Sequence, residues 1–141
     1  MAVEQTFAII KPDAVKAGNA GRIISMIEDN GFEILRLQKG QLSKDLAELF
    51  YDVHKEKPFF NELVEFISSG PIIIMALQKD DSINEWRKLM GATDPANAEE
   101  GTVRKQFGSS IGQNAVHGSD GAETARQELG LFFAEPTAPQ K

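Results

Sequence analysis

The chain has 141 residues, 41% hydrophobic and 26% charged, which is enough apolar material for one packed domain and too much for a disordered chain. It contains no cysteine and only two histidines, which excludes disulfides, thiol chemistry and thiolate or histidine-rich metal sites. Fifteen basic against twenty-one acidic residues give a net charge of −6, which argues against general affinity for DNA, RNA or anionic lipid, so cations that meet a polyanionic ligand must be gathered locally.

The start, MAVEQTF, lacks the basic and apolar stretches of a secretory signal, and the longest apolar run, 72–77, is far short of a membrane span. A cytoplasmic protein with no membrane partner is expected. Residues 6–11 (TFAIIK) alternate as a strand stopped by Pro12-Asp13, with Lys11 on the parity of Phe7 and Ile9 at its end. Ala20, Ile23, Ile24 and Ile27 form a helical stripe ended by Asn30-Gly31. A second strand is predicted over 32–42. Ser43 then caps a helix whose stripe is Leu46, Leu49, Phe50 and Val53, leaving Tyr51 one step off it. Pro58 opens another helix with Phe60, Leu63, Val64 and Ile67, closed by Gly70-Pro71. The adjacent Phe59 points about 100° away from Phe60, so one ring stays at an edge, where it could stack on a nucleobase. His54, in the charged stretch HKEKP, reads as surface without a role.

Residues 71–78 (PIIIMALQ) are apolar on both parities, the mark of a central strand covered on both faces. A helix over 82–90 places Ile83, Trp86, Arg87 and Met90 on one face, so a guanidinium sits in an apolar stripe; its ordinary explanation is a packed stem with the head in water. Residues 91–112 are rich in Gly, Pro, Asn and Ala, and a loop of that length in a compact domain is usually functional. A short strand over 114–117 and a last helix follow, the helix capped by Asp120 with Glu123 three residues on and carrying Ala122, Ala125, Leu129 and Phe132. Residues 135–141 read as a flexible tail on a single domain spanning 1–141. The order β-α-β-α-α-β-α-loop-β-α fits an α+β ferredoxin-like split βαβ sandwich, a four-stranded antiparallel sheet covered by helices.

There is no Gly-Lys dipeptide and no pair of glycines separated by one residue, so neither a P-loop nor a GxGxxG cradle is present. Phosphate handling would fall to side chains: Lys11, Arg87, Thr93 and Arg104. A neutral imidazole can attack phosphorus and pass the group on, and His117 in NAVHGSD is the candidate.

IIKPDAV (9–15), KPFF (57–60), SGP (69–71), MGATDP (90–95), GTVR (101–104) and NAVHGSD (114–120), in this order, resemble nucleoside diphosphate kinases of the bacterial type over residues 6–133. The resemblance implies a ping-pong kinase that moves the γ-phosphoryl group of a nucleoside triphosphate (ATP) to a nucleoside diphosphate through a phosphohistidine at His117. It implies that Lys11, Tyr51, Arg87, Thr93, Arg104 and Asn114 contact phosphates or ribose, that Phe59 stacks on the base, and that Ser119 and Glu128 order the site. It also implies Mg²⁺ carried on the nucleotide phosphates and a homo-oligomer, a tetramer favoured over a hexamer. Val53 stands where many members carry an acid; a phosphocarrier without turnover is the alternative that this departure supports.

Overall fold

The computed structural model describes residues 3–133, so the expected tail lies outside the described residues. Four strands, β1 (Val3–Ile10), β2 (Glu33–Gly40), β3 (Ile72–Asp80) and β4 (Val116–Gly118), form one antiparallel sheet in the order β2-β3-β1-β4. Seven α-helices among the described residues surround it: α1 (Pro12–Lys16), α2 (Ala20–Asp29), α3 (Lys44–Phe50), α4 (Phe60–Ile67), α5 (Ser82–Met90), α6 (Val103–Phe107) and α7 (Ala122–Phe132). This is the expected split βαβ sandwich.

Strand alternation sorts the core into two layers. Ala8 and Ile10 of β1 join Ile73, Met75 and Leu77 of β3 on the face packed by α2 and α5. Phe7 and Ile9 join Ile72, Ile74 and Ala76 on the opposite face, beneath α3 and α4. The central position of β3 follows from its buried residues on both parities. Trp86 is fully buried and fixes α5 against the first face. At the head of α5, Glu4 Oε1 accepts the Ile83 backbone N–H at 3.0 Å and so satisfies one of the free amides there.

Several boundaries differ from the expected ones for identifiable reasons. β1 begins at Val3, because Val3, Glu4 and Gln5 pair with Asp80, Lys79 and Gln78 through backbone bonds that need no apolar pattern. Pro12 does not end in a turn; it opens α1, with Lys11 at its N-cap. Ser43 Oγ accepts the Leu46 N–H at 3.1 Å, as a cap should. α3 stops at Phe50 and a 3₁₀ turn takes over at Asp52–His54, so the 3.6-residue stripe fails there. Leu49 and Val53 are exposed, whereas Tyr51 is buried with Ala47 and Phe50. The 91–112 segment is not one long loop, since it holds a 3₁₀ turn at Pro95–Asn97 and α6, with Val103 fully buried. Asp120 does not cap α7: Gly121 occupies that position, and Asp120 Oδ1 accepts from Thr124 Oγ1 at 2.7 Å instead.

Candidate active site

β4 has only three residues, and each has a different task. Val116 is buried in the first core layer, paired with Ile10. Gly118 lies against Trp86: a Cβ added there would sit 2.5 Å from Trp86 Cδ1 and 2.8 Å from Met90 Cε. Gly118→Ala is therefore expected to destabilise the protein by about 1–3 kcal/mol through overpacking. Chemical denaturation measures it; a variant as stable as the parent would show that the indole moves aside freely. Between these two, His117 pairs with Ile9 and faces the second layer, where its ring meets the Phe50 ring edge-on at 4.9 Å between centroids. Its backbone carbonyl accepts from Trp86 Nε1 at 3.2 Å, so the histidine is fixed from both ends.

The imidazole Nε2 lies 3.2 Å from Glu128 Oε1, and the same oxygen accepts the Ser119 hydroxyl at 2.7 Å. Glu128 reaches the ring from α7, while Ser119 is held by its own N–H bond to the Phe7 carbonyl. A carboxylate on one ring nitrogen fixes the tautomer: Nε2 carries the hydrogen and Nδ1 is left with the lone pair. The Tyr51 phenol shares a cavity of about 670 Å³ with His117 and Glu128. Burial first, and then the Glu128 charge, push the phenol up to about 12, so it stays a neutral donor.

His117 also borders a second, smaller cavity of about 310 Å³, lined by Arg87, Thr93, Arg104, Gly118 and Asp120 among others. Arg87 is exposed here rather than embedded in the stripe of α5, whose buried face is completed by Leu89. Arg104 is only 8% exposed and donates to the Gly91 and Val116 carbonyls at 3.0 and 2.9 Å. Burial, and then the neighbouring Arg87 charge, bring it down to about 10. The Lys11 ammonium donates to Asn114 Oδ1 at 2.9 Å, and Asn114 Nδ2 donates to the Thr93 carbonyl at 3.0 Å. Burial first, and then the Arg104 charge, bring Lys11 down to about 8 against the opposing pull of Asp13. Three cations are thus held close together, with Asp13 beside Lys11 and Asp120 in the cavity of the two arginines, an arrangement that favours an incoming polyanion.

Phe59 stands apart from these cavities. It is 42% exposed at the N-cap of α4 and lines a groove of about 730 Å³ with Leu63, Phe66 and Ile111. Ile111 is the facing apolar residue that a reading of the sequence passes over, since a lone isoleucine in a loop carries no signal. The His54 ring lies 5.6 Å from that of Phe59 and 6.3 Å from that of Tyr51. Val53 is 81% exposed, and Glu128 is the carboxylate that contacts the histidine ring. Ala115 has φ 76°, a left-handed conformation that costs a non-glycine residue on the order of 1–3 kcal/mol.

Fold and site together define a class: a ferredoxin-like sandwich whose edge strand carries a carboxylate-held histidine into a cation-lined cleft, the equipment of a phosphotransferase. The model of the nucleoside diphosphate kinase family matches residues 4–137. The nucleoside diphosphate kinase of Trichlorobacter lovleyi is 56% identical over 131 residues, which is 93% of this chain and 95% of that protein. The enzyme of that name from Geobacter sulfurreducens is 53% identical over 133 residues, covering 94% and 97%. Among solved structures, the Aquifex aeolicus nucleoside diphosphate kinase superposes with a TM-score of 0.92 at 41% identity, covering 94% of this chain and 96% of that one. The halophilic Halobacterium salinarum enzyme, in complex with CDP, gives 0.91 at 38% identity, covering 95% and 90%. The chain belongs to the nucleoside diphosphate kinase family.

Proposed function

We propose that His117 is the nucleophile and that Nδ1 is its reacting atom. The activity itself is that of the family: transfer of the γ-phosphoryl group from a nucleoside triphosphate to a nucleoside diphosphate through a phosphohistidine. The Nδ1 lone pair attacks the γ-phosphorus while the bond to the β,γ-bridging oxygen breaks, and the diphosphate leaves with that electron pair. The hydrogen remains on Nε2, where the Glu128 carboxylate balances the charge that the ring acquires. The second half-reaction reverses these steps with a different diphosphate.

Lys11, Arg87 and Arg104 hold the phosphates, with Thr93, Asn114 and Tyr51 as polar contacts and Ser119 steadying Glu128. Phe59 stacks on the base, and Ile111 closes the other wall of its groove. Because one site serves both donor and acceptor, stacking suits it better than edge hydrogen bonds, since every base presents a π face. Among the described residues no group of three acidic or imidazole side chains forms a metal cage. Mg²⁺ would be brought in on the nucleotide phosphates, with Asp120, which lines both cavities beside His117, as a hard oxygen donor for it. When bound, the ion neutralises phosphate charge and fixes the geometry of the triphosphate.

The chain works in this reading as one domain, supported by the single four-stranded sheet and the two core layers packed on its faces. A homo-oligomer is supported by the exposed edge strand β2, where Leu35 and Leu37 face outward; a tetramer is favoured over a hexamer, and native mass spectrometry distinguishes them. A cytoplasmic location is consistent with the lack, among the described residues, of any helix long and apolar enough to cross a membrane.

The Nε2–Glu128 contact carries the assignment of the reacting nitrogen. Nitrogen–phosphorus couplings in the NMR spectrum of phosphoenzyme made with ATP are expected at His117 Nδ1. Coupling at Nε2 would require Glu128 to release the ring and would overturn the proposed geometry.

A further inference from the structure

Residue 115 is an alanine in a conformation that alanine disfavours, and it lies between two proposed site residues, Asn114 and His117, only one residue short of β4. The Val116 N–H donates to the Asn114 carbonyl at 2.9 Å, which with φ 76° at the centre makes Ala115 the hub of a tight three-residue turn of the rare, strained hand. Such a conformation persists only where the surroundings over-determine it. The surroundings here are three residues from the far end of the chain. The Lys11 N–H donates to the Ala115 carbonyl at 2.8 Å, and Asp13 Oδ2 accepts the Ala115 N–H at 3.1 Å. Both peptide groups of Ala115 are therefore gripped by the KPD segment. The second oxygen of Asp13 is buried and makes no hydrogen bond among the described residues; the backbone amides of Asp13 and Ala14 also favour its charge, and Ala115 is the backbone amide that it reaches outside its own helix.

We propose that Asp13 is a positioning residue for phosphoryl transfer, acting through the Ala115 turn. On one side the turn aims the Asn114 side chain, itself only 2% exposed, so that it bridges Lys11 and the Thr93 carbonyl. On the other side it delivers Val116, whose carbonyl anchors Arg104, and then His117. One relaxation at residue 115 would thus disturb the nucleophile, two cations and the amide between them. Asp13 also supports the Lys11 charge by proximity, an effect that amide substitution removes while the acceptor is kept.

This inference rests on His117 being the phosphorylated residue, and single-turnover phosphoenzyme formation from ATP separates the two. If the parent forms no phosphoenzyme, the His117 reading fails; if the parent does, the variants test Asp13 alone. Asp13→Ala is expected to slow phosphorylation on the order of a hundredfold, the scale of a small misplacement of reacting groups, with the nucleotide concentration for half-saturation little changed. Adding Ala115→Gly to it is expected to recover most of that rate, because glycine takes the left-handed conformation without the penalty, whereas Ala115→Gly alone leaves the rate close to the parent's. A residue serving stability alone would lose thermal stability without that rate recovery. Asp13→Asn, which keeps an acceptor for the Ala115 N–H, is expected to lie between the parent and Asp13→Ala, and it carries the test if Asp13→Ala does not fold. A folded Asp13→Ala with the parent's rate, a double variant no faster than Asp13→Ala, or a folded Asp13→Asn with no phosphorylation would each overturn the inference.

Discussion

Replacing His117 with alanine is expected to abolish acid-labile labelling of the protein by ATP and to lower kcat for GTP formation from ATP and GDP by on the order of 10⁴- to 10⁶-fold, the scale of deleting a covalent nucleophile. The groups in direct contact with the ring, or beside it in the cavity, are poor substitutes. Glu128 holds Nε2 but is acceptor-only, the Tyr51 phenol stays protonated because burial pushes it up to about 12, and Ser119 is fully buried with its hydroxyl committed to Glu128. The fold should tolerate the change, because the anchoring bond from Trp86 goes to the backbone carbonyl of residue 117 and survives it. His54→Ala is the control: it should retain the phosphoenzyme. Labelling that persists in His117→Ala would assign the phosphoryl group to a different residue.

What could be read in the sequence, and what could not, divides along a physical line. Strand parity announced the two-sided burial of β3, and the six ordered motifs pointed to the family and to the residues proposed here for its site. The pairing of His117 with Glu128 was within reach because a carboxylate beside Ala125 and Leu129, at the border of a buried face, needs a partner. Three things stayed hidden for want of any local signal. Tyr51 changed from exposed to buried because α3 gives way to a 3₁₀ turn one residue later, and helical spacing cannot foresee its own end. Arg104 combines its charge with two backbone ties, to Gly91 and Val116, that depend entirely on tertiary position. The strained turn at Ala115 is the extreme case: the usual flag for a left-handed residue is glycine or asparagine, and its support comes from Lys11 and Asp13, about a hundred residues away in sequence.

Lys11 offers the second large effect, and its two consequences have opposite signs. Lys11→Met keeps most of the stem and removes the charge, so kcat/KM is expected to fall about 10²- to 10³-fold, as for loss of a preorganised group aimed at developing charge. In the parent, kcat/KM reports the free enzyme. It should decline as pH rises through about 8, where the ammonium, lowered by burial and by Arg104, loses its proton. Bound phosphates favour the cation, so the same limb in kcat should lie at higher pH, and nucleotide binding between these limits should take up a proton. Stability runs the other way. A lysine at about 8 in the folded protein and 10.5 when unfolded penalises the folded state fully below pH 8, progressively less between 8 and 10.5, and not at all above. The parent should therefore gain stability relative to Lys11→Met as pH rises across that window. Arg104, lowered to about 10, is present in both proteins, and its coupling to the Lys11 charge is part of the difference measured. The bond lost from Asn114 shifts that difference by a constant and leaves its slope unaffected. Thermal melts of the two proteins at pH 7 and pH 10 measure it. A difference independent of pH would mean that the ammonium is as well solvated in the folded chain as in the unfolded one, and that the cleft holds no electrostatic strain for a nucleotide to relieve.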